Sequence, residues 1–191
     1  MTSLQIILLS FAISIDSLAL SIVDGAMLPR IKPNELLKFS LFISGWQTVT
    51  FMIGHYLIPF STQLGLMNQF STASFAYRIL SAVIFISLGL MMLKKGMKND
   101  YINEKRQPFI KFNRMVKISV FTSFDSFIAG IGLYFTGIQI RKTSILLFLV
   151  SMISVMVGIF IGFWFGYEQK SKVYGIGSII FFIFAVNILV K

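Results

Sequence analysis

Two aspartates lie where lipid-facing helices would be expected. Asp16 sits in "FAISIDSLALSIVDGA" and Asp125 in "SVFTSFDSFIAGI", runs otherwise built of apolar and small residues. A charge at such a position costs several kcal/mol unless it is paired, wetted or neutralised, so each acid marks a candidate site. The central part of every apolar run lacks Lys and Arg. The counter-charge is therefore expected from a proton or a bound cation. Two facing carboxylates suit a divalent cation. Their hard oxygens suit Mg²⁺, Ca²⁺ or Mn²⁺, and a chain with no Cys and one His offers no soft thiolate site. With the ion gone, mutual repulsion and low dielectric favour protons in its place. Metal–proton exchange then needs no further parts.

The two segments are copies. At an offset of 109, Ser10, Ser14, Asp16, Ser17 and Ile22 meet Ser119, Ser123, Asp125, Ser126 and Ile131. Ser21 meets Gly130, another small residue. The spacing 10, 14, 17, 21 follows the helix period and lays one small polar stripe along a helix. Each Asp lies about 100° from its adjacent Ser, at the stripe's edge. The bland alternative is a protonated Asp bonded to a neighbouring helix as packing. Recurrence at equivalent positions argues against it.

Further candidate ligands are weaker. "SGWQTVTFMIGH" offers Gln47, Thr48 and Thr50, with a carbonyl oxygen on Gln47. Ser17 and Ser126 follow the two acids; Ser151 and Ser154 fall in the matching region of the fifth block, where packing is the favoured role. Asn187 reads as a helix bridge or a ligand, His55 as an interface residue, and Asp24 as a solvated acid at the inner membrane surface. Ser154, Gly158, Gly162 and Gly166 form a small-xxx-small ladder for close helix packing.

The elements that must hold these residues are legible in the hydropathy. Of 191 residues, 56% are hydrophobic and 13% charged, where a soluble domain carries about a quarter charged. Apolar blocks fall at about 4–23, 36–59, 76–93, 117–137, 143–166 and 173–190, each near the length that crosses a bilayer core. The expected fold is an all-α membrane protein of one domain, with six transmembrane helices as two inverted three-helix repeats. Repeat one covers about 1–93, a basic loop about 94–116, and repeat two about 117–191. The first block has no basic residue before it and no clear cleavage site after it, so it reads as a retained span.

The net charge of +10 invites a nucleic-acid reading, but the basic residues sit in short loops. Those after blocks 1, 3 and 5 hold thirteen Lys and Arg, eight of them from Lys94 to Lys117; the other side holds four. The first set is expected in the cytoplasm and both termini outside. Equivalent points three spans apart cross in opposite directions, the signature of an inverted repeat with its site near the midplane. Asp16 lies roughly 18 Å from the outer end of its span at 1.5 Å per residue. Asp125, about 12 Å from the inner end of its own, reaches the same level in a core of about 30 Å.

"SIDSLALSIVDGA" and "SFDSFIAGIGLYF" resemble the two aspartate motifs of the bacterial MntP manganese efflux pumps, in the LysE-like exporter superfamily, and "QTVTFMIG" resembles that family's span-2 motif. The resemblance implies a six-span plasma-membrane exporter of Mn²⁺, with Mn²⁺ as substrate, no cofactor, and Asp16 and Asp125 as the key acids. Three features depart from the family pattern. Gln47 stands where the family has Glu, Ser17 and Ser126 where it has Ala, and the loop after span 3 is basic rather than acidic. The site then carries two carboxylates instead of three.

Three other readings compete with this one. An intramembrane aspartyl protease would share one proton between its acids, but the contexts "SIDS" and "SFDS" lack a GxGD-type motif. An amino-acid exporter of the same superfamily would want a basic group for the substrate carboxylate, and no central one is present. A channel or scaffold is the third. The favoured reading is a transporter, not an enzyme, partnered by a divalent cation, protons and lipid.

Overall fold

The computed structural model describes residues 3–63, 75–97, 112–136, 139–166 and 169–190. They form six helices: α1 (Ser3–Met27), α2 (Pro33–Gln63), α3 (Phe75–Met97), α4 (Phe112–Tyr134), α5 (Ile140–Phe165) and α6 (Gln169–Val190). Each apolar block holds one helix, and most helices begin before their blocks. The extension that matters is in α3, which carries Lys94 and Lys95 inside its last turn rather than in a loop. Most of the expected basic loop, residues 98–111, lies outside the described residues.

Five helices are long and apolar enough to cross a membrane; α4 is the exception among the described residues. Its polarity is directed inward. Ser119, Thr122, Asp125 and Ser126 are all buried, whereas Val120 and Phe124 are exposed. The outer surface of the bundle carries Ile53, Phe60, Val83, Ile153, Trp164 and Ile183. Such a continuous apolar exterior would be costly in water and is suited to lipid.

α1 is the central helix. Residues 12–19 are buried without interruption, and α1 packs against α5, α6 and α4. The α1–α5 seam is close because α5 presents glycines to it. A Cβ on Gly158 or Gly162 would overlap the carbonyls of Leu18 and Ile22. Those partners advance four residues on each helix, so the two helices run in the same direction. The α2–α4 seam is built likewise, with Gly54 against Phe127 and Gly130 against Phe51. This is the small-residue packing on which helix association in lipid depends.

α3 and α6 form the third close pair. Phe85 stacks on Phe181 at 6.1 Å and meets Phe184 edge-on at 5.2 Å. These rings join Leu9 and Leu133 in one apolar cluster. At the other end of the pair, Ser171 donates to the Gly96 carbonyl at 2.8 Å. That bond satisfies one of the carbonyls a helix leaves open at its C-terminus. It fixes the last turn of α3 against the first turn of α6.

Candidate functional site

The inner stripe of α3 runs Phe85, Leu88, Met92, all buried. Steps of three and four continue it to Lys95, not Lys94. Lys95 therefore points into the bundle. Its Nζ stands 3.1 Å from Asp16 Oδ1 and 2.6 Å from Asp125 Oδ2. The two acids, on α1 and α4, are brought together on a single ammonium. They are 1% and 4% exposed, whereas the Lys95 side chain keeps 32% of its surface open. The lysine thus reaches the acids from the rim, and its place at a helix C-terminus is favourable for a cation.

This geometry corrects one expectation. The counter-charge need not come from a proton or a bound ion, because Lys95 supplies it. Its apparent loop position concealed it. Two carboxylates and one ammonium leave a formal charge of minus one.

The inner stripe of α6 contributes a second unforeseen residue. Tyr174, buried one turn after Ser171, donates its hydroxyl to Asp16 Oδ1 at 3.1 Å. The same carboxylate oxygen therefore accepts from both Lys95 and Tyr174. Asp16 Oδ2 is buried with no hydrogen-bond partner among the described residues. An ionised oxygen left in that condition is expensive.

Gln47 stands next to this cluster, with both ends of its amide used. Its Nε2 donates to the Ile13 carbonyl at 3.0 Å, one turn from Asp16, and its Oε1 accepts from Ser151 at 2.5 Å. The Ile13 carbonyl can only accept, which settles which end of the amide faces it. Gln47 thus ties α2 to α1 and α5. Ser14 and Ser154 meet at 3.0 Å across the α1–α5 seam.

The hydroxyls of the remaining candidate ligands turn back onto their own helices. Ser17 donates to Ser14 O, Ser126 to Thr122 O, Thr48 to Ser44 O and Thr50 to Gln47 O. Asn187 is thirteen residues beyond Tyr174, roughly 20 Å along α6. It lines an apolar surface groove with Phe182, Ile183 and Val186. His55 packs edge-on against Tyr56 and Tyr134. Asp24 is 3% exposed, which corrects its reading as a solvated acid: the C-terminal part of α1 lies inside the bundle. No group of three or more His, Cys, Asp or Glu that could hold a metal occurs among the described residues. Any cation would take two carboxylates and complete its shell from hydroxyls, carbonyls or water.

Apolar helices of spanning length around a buried, partly neutralised ionic centre define a polytopic α-helical membrane protein. Residues 30–189 match the family described as "Putative manganese efflux pump". The chain belongs to that family. It is similar to the "Putative manganese efflux pump MntP" of Clostridium perfringens, 25% identical over all of this chain and 95% of that one. The protein of the same name from Yersinia pestis is 29% identical over 96% of this chain and 93% of its own. That from Bifidobacterium longum subsp. infantis is 23% identical over 98% and 93%. No solved structure matches the chain.

Proposed function

We propose that this chain is a secondary exporter of a divalent metal cation, with Mn²⁺ the first candidate, working by exchange for protons in the bacterial plasma membrane. The observation that carries the reading is the convergence of Asp16 and Asp125 from two different helices on one buried point. The names of the relatives supply manganese and the direction of transport. In this reading all six helices span, both termini lie outside, and α1–α3 and α4–α6 are inverted repeats. The packing supports that symmetry: exchanging each helix for the one three places away turns the α1–α5 seam into α4–α2 and leaves the α3–α6 pair unchanged. The paired acids hold the cation, protons replace it, and one repeat rocks against the other.

The test is cell-associated manganese and Mn²⁺ sensitivity in a strain lacking its own exporter. It compares the wild type, Asp16→Asn and Asp125→Asn at matched expression. The wild type should lower cell manganese and both variants should fail. A wild type with no effect on any hard divalent cation would remove the metal reading.

One observation favours a second reading. Lys95 is the basic group beside the acids that an amino-acid exporter would want, with the substrate carboxylate on the lysine and its ammonium on the aspartates. Export of amino acids without any effect on metals would select it.

A further inference from the structure

We propose that Lys95 is a tethered surrogate for the transported cation: it occupies the carboxylate pair when no metal is bound, and the metal must expel it to bind. The inference rests on the exporter reading above and goes beyond it. The Lys95 ammonium contacts one oxygen from each acid, Asp16 Oδ1 and Asp125 Oδ2, so it stands where a cation shared by both would stand. The two positions exclude each other on charge as well as on space. With Lys95 in place the cluster offers a single net negative charge to a dication; with Lys95 withdrawn it offers two. Coulomb attraction at such distances in a poorly solvated site is strong enough for that difference to decide occupancy.

Withdrawal is feasible because of where the lysine is attached. It lies two residues from the end of α3 and its side chain is about one-third exposed. A four-carbon stem can swing the ammonium from the rim of the bundle into water without moving the helix. The acids have no such freedom, being held mid-helix in α1 and α4. Tyr174 remains on Asp16 after the lysine leaves, and Asp16 Oδ2, without a hydrogen-bond partner among the described residues, is available to the ion.

The device has a function in a transport cycle. A carrier must return after releasing its cargo, and two bare carboxylates would make that return costly. An ammonium carried by the protein removes one of the two charges during the return step, so that the proton exchange of the exporter reading has only the other to cover. Lys95 thereby sets the affinity for the cation and permits net transport, whereas one-for-one exchange of cations across the membrane does not need it.

The first measurement uses the unaltered protein. Purified protein in detergent is treated with an amine-reactive ester, with and without saturating Mn²⁺, and labelling at Lys95 is read by mass spectrometry against Lys32 and Lys38 as internal references. Expulsion predicts that Mn²⁺ raises Lys95 labelling several-fold and leaves the references unchanged. Labelling that stays constant or falls while Mn²⁺ binds overturns the proposal. The second measurement compares wild type with Lys95→Gln, and with Lys95→Gln/Asp125→Asn as a folding control that restores the net charge. The Lys95→Gln protein should bind Mn²⁺ at least tenfold more tightly. In proteoliposomes it should keep Mn²⁺/Mn²⁺ exchange and lose most net efflux. Weaker binding, with exchange and net efflux falling together, would make Lys95 a structural tie and sink the idea. If neither protein binds Mn²⁺ or another hard divalent cation, the exporter reading itself fails and this proposal falls with it.

Discussion

The closeness of α1 to α5 can be tested by one methyl group. In Gly162→Ala the added Cβ would overlap the Ile22 carbonyl oxygen and crowd the Ala26 nitrogen, both backbone atoms of α1. A side chain could turn aside, but a helix backbone can only be pushed away. Gly45→Ala is the matched control, because its Cβ would meet nothing within 4 Å. Both substitutions gain the same helix propensity, about 1 kcal/mol over Gly, so that gain cancels in the comparison. The difference isolates the overlap, which for overpacking is about 1–3 kcal/mol. The upper half of that range is expected because the obstacle is backbone. At about 2–4 °C per kcal/mol for a chain of this length, Gly162→Ala should melt roughly 6 °C below Gly45→Ala. The assay is thermal unfolding in detergent, followed by the fluorescence of Trp46 and Trp164. Because α1 carries Asp16, the same substitution should impair transport more than Gly45→Ala does. Equal melting temperatures for the two variants would refute the seam.

Three further outcomes follow from named contacts. Tyr174→Phe removes only the hydroxyl that donates to Asp16; a bond to a charged acceptor contributes about 1.5–3 kcal/mol, so the metal-free protein should unfold at lower temperature, whereas Tyr56→Phe, at an exposed ring, should leave it unchanged. Gln47→Leu deletes two interhelical bonds, to Ile13 and from Ser151, and should cost about 1–3 kcal/mol in the same melting assay. Lys32→Ala breaks the ion pair with Glu35, whose partners are both more than 40% exposed, and should shift stability by less than about 0.5 kcal/mol.

Much of the frame was legible from hydropathy alone, because lipid leaves a chain few options. Backbone groups must be satisfied within the segment, so apolar blocks of this length become helices. The ladder Ser154, Gly158, Gly162, Gly166 was readable as a close seam; Gly158 and Gly162 do lie against α1, but Gly166 ends α5 at a φ of 77° and a Cβ there would meet nothing within 4 Å. The recurrence of Asp16 at Asp125 pointed to a shared site, and the two acids do converge on one ammonium. Hydropathy failed at the helix ends. It averages over a window, and "LMMLKKGMKND" reads as the close of a span followed by a basic loop. Two lysines in that stretch are helical.

Lys95 and Tyr174 share a physical reason for having been missed. Each sits at the end of an apolar block, where lysine is ordinarily explained by topology and tyrosine by the membrane interface. What separates them from their neighbours is phase, not composition. Lys95 continues the inner stripe of Phe85, Leu88 and Met92, while Lys94 points outward and is exposed. Tyr174 begins the stripe of Ser178, Phe181 and Ala185, all buried. A charge ledger would have led to Lys95. Two acids with no central base demand a cation, and a flexible lysine one helical step beyond the last inward residue is the nearest that the chain itself can supply. The requirement that buried charge be compensated is therefore a stronger guide to such sites than the position of a residue relative to a hydropathy boundary.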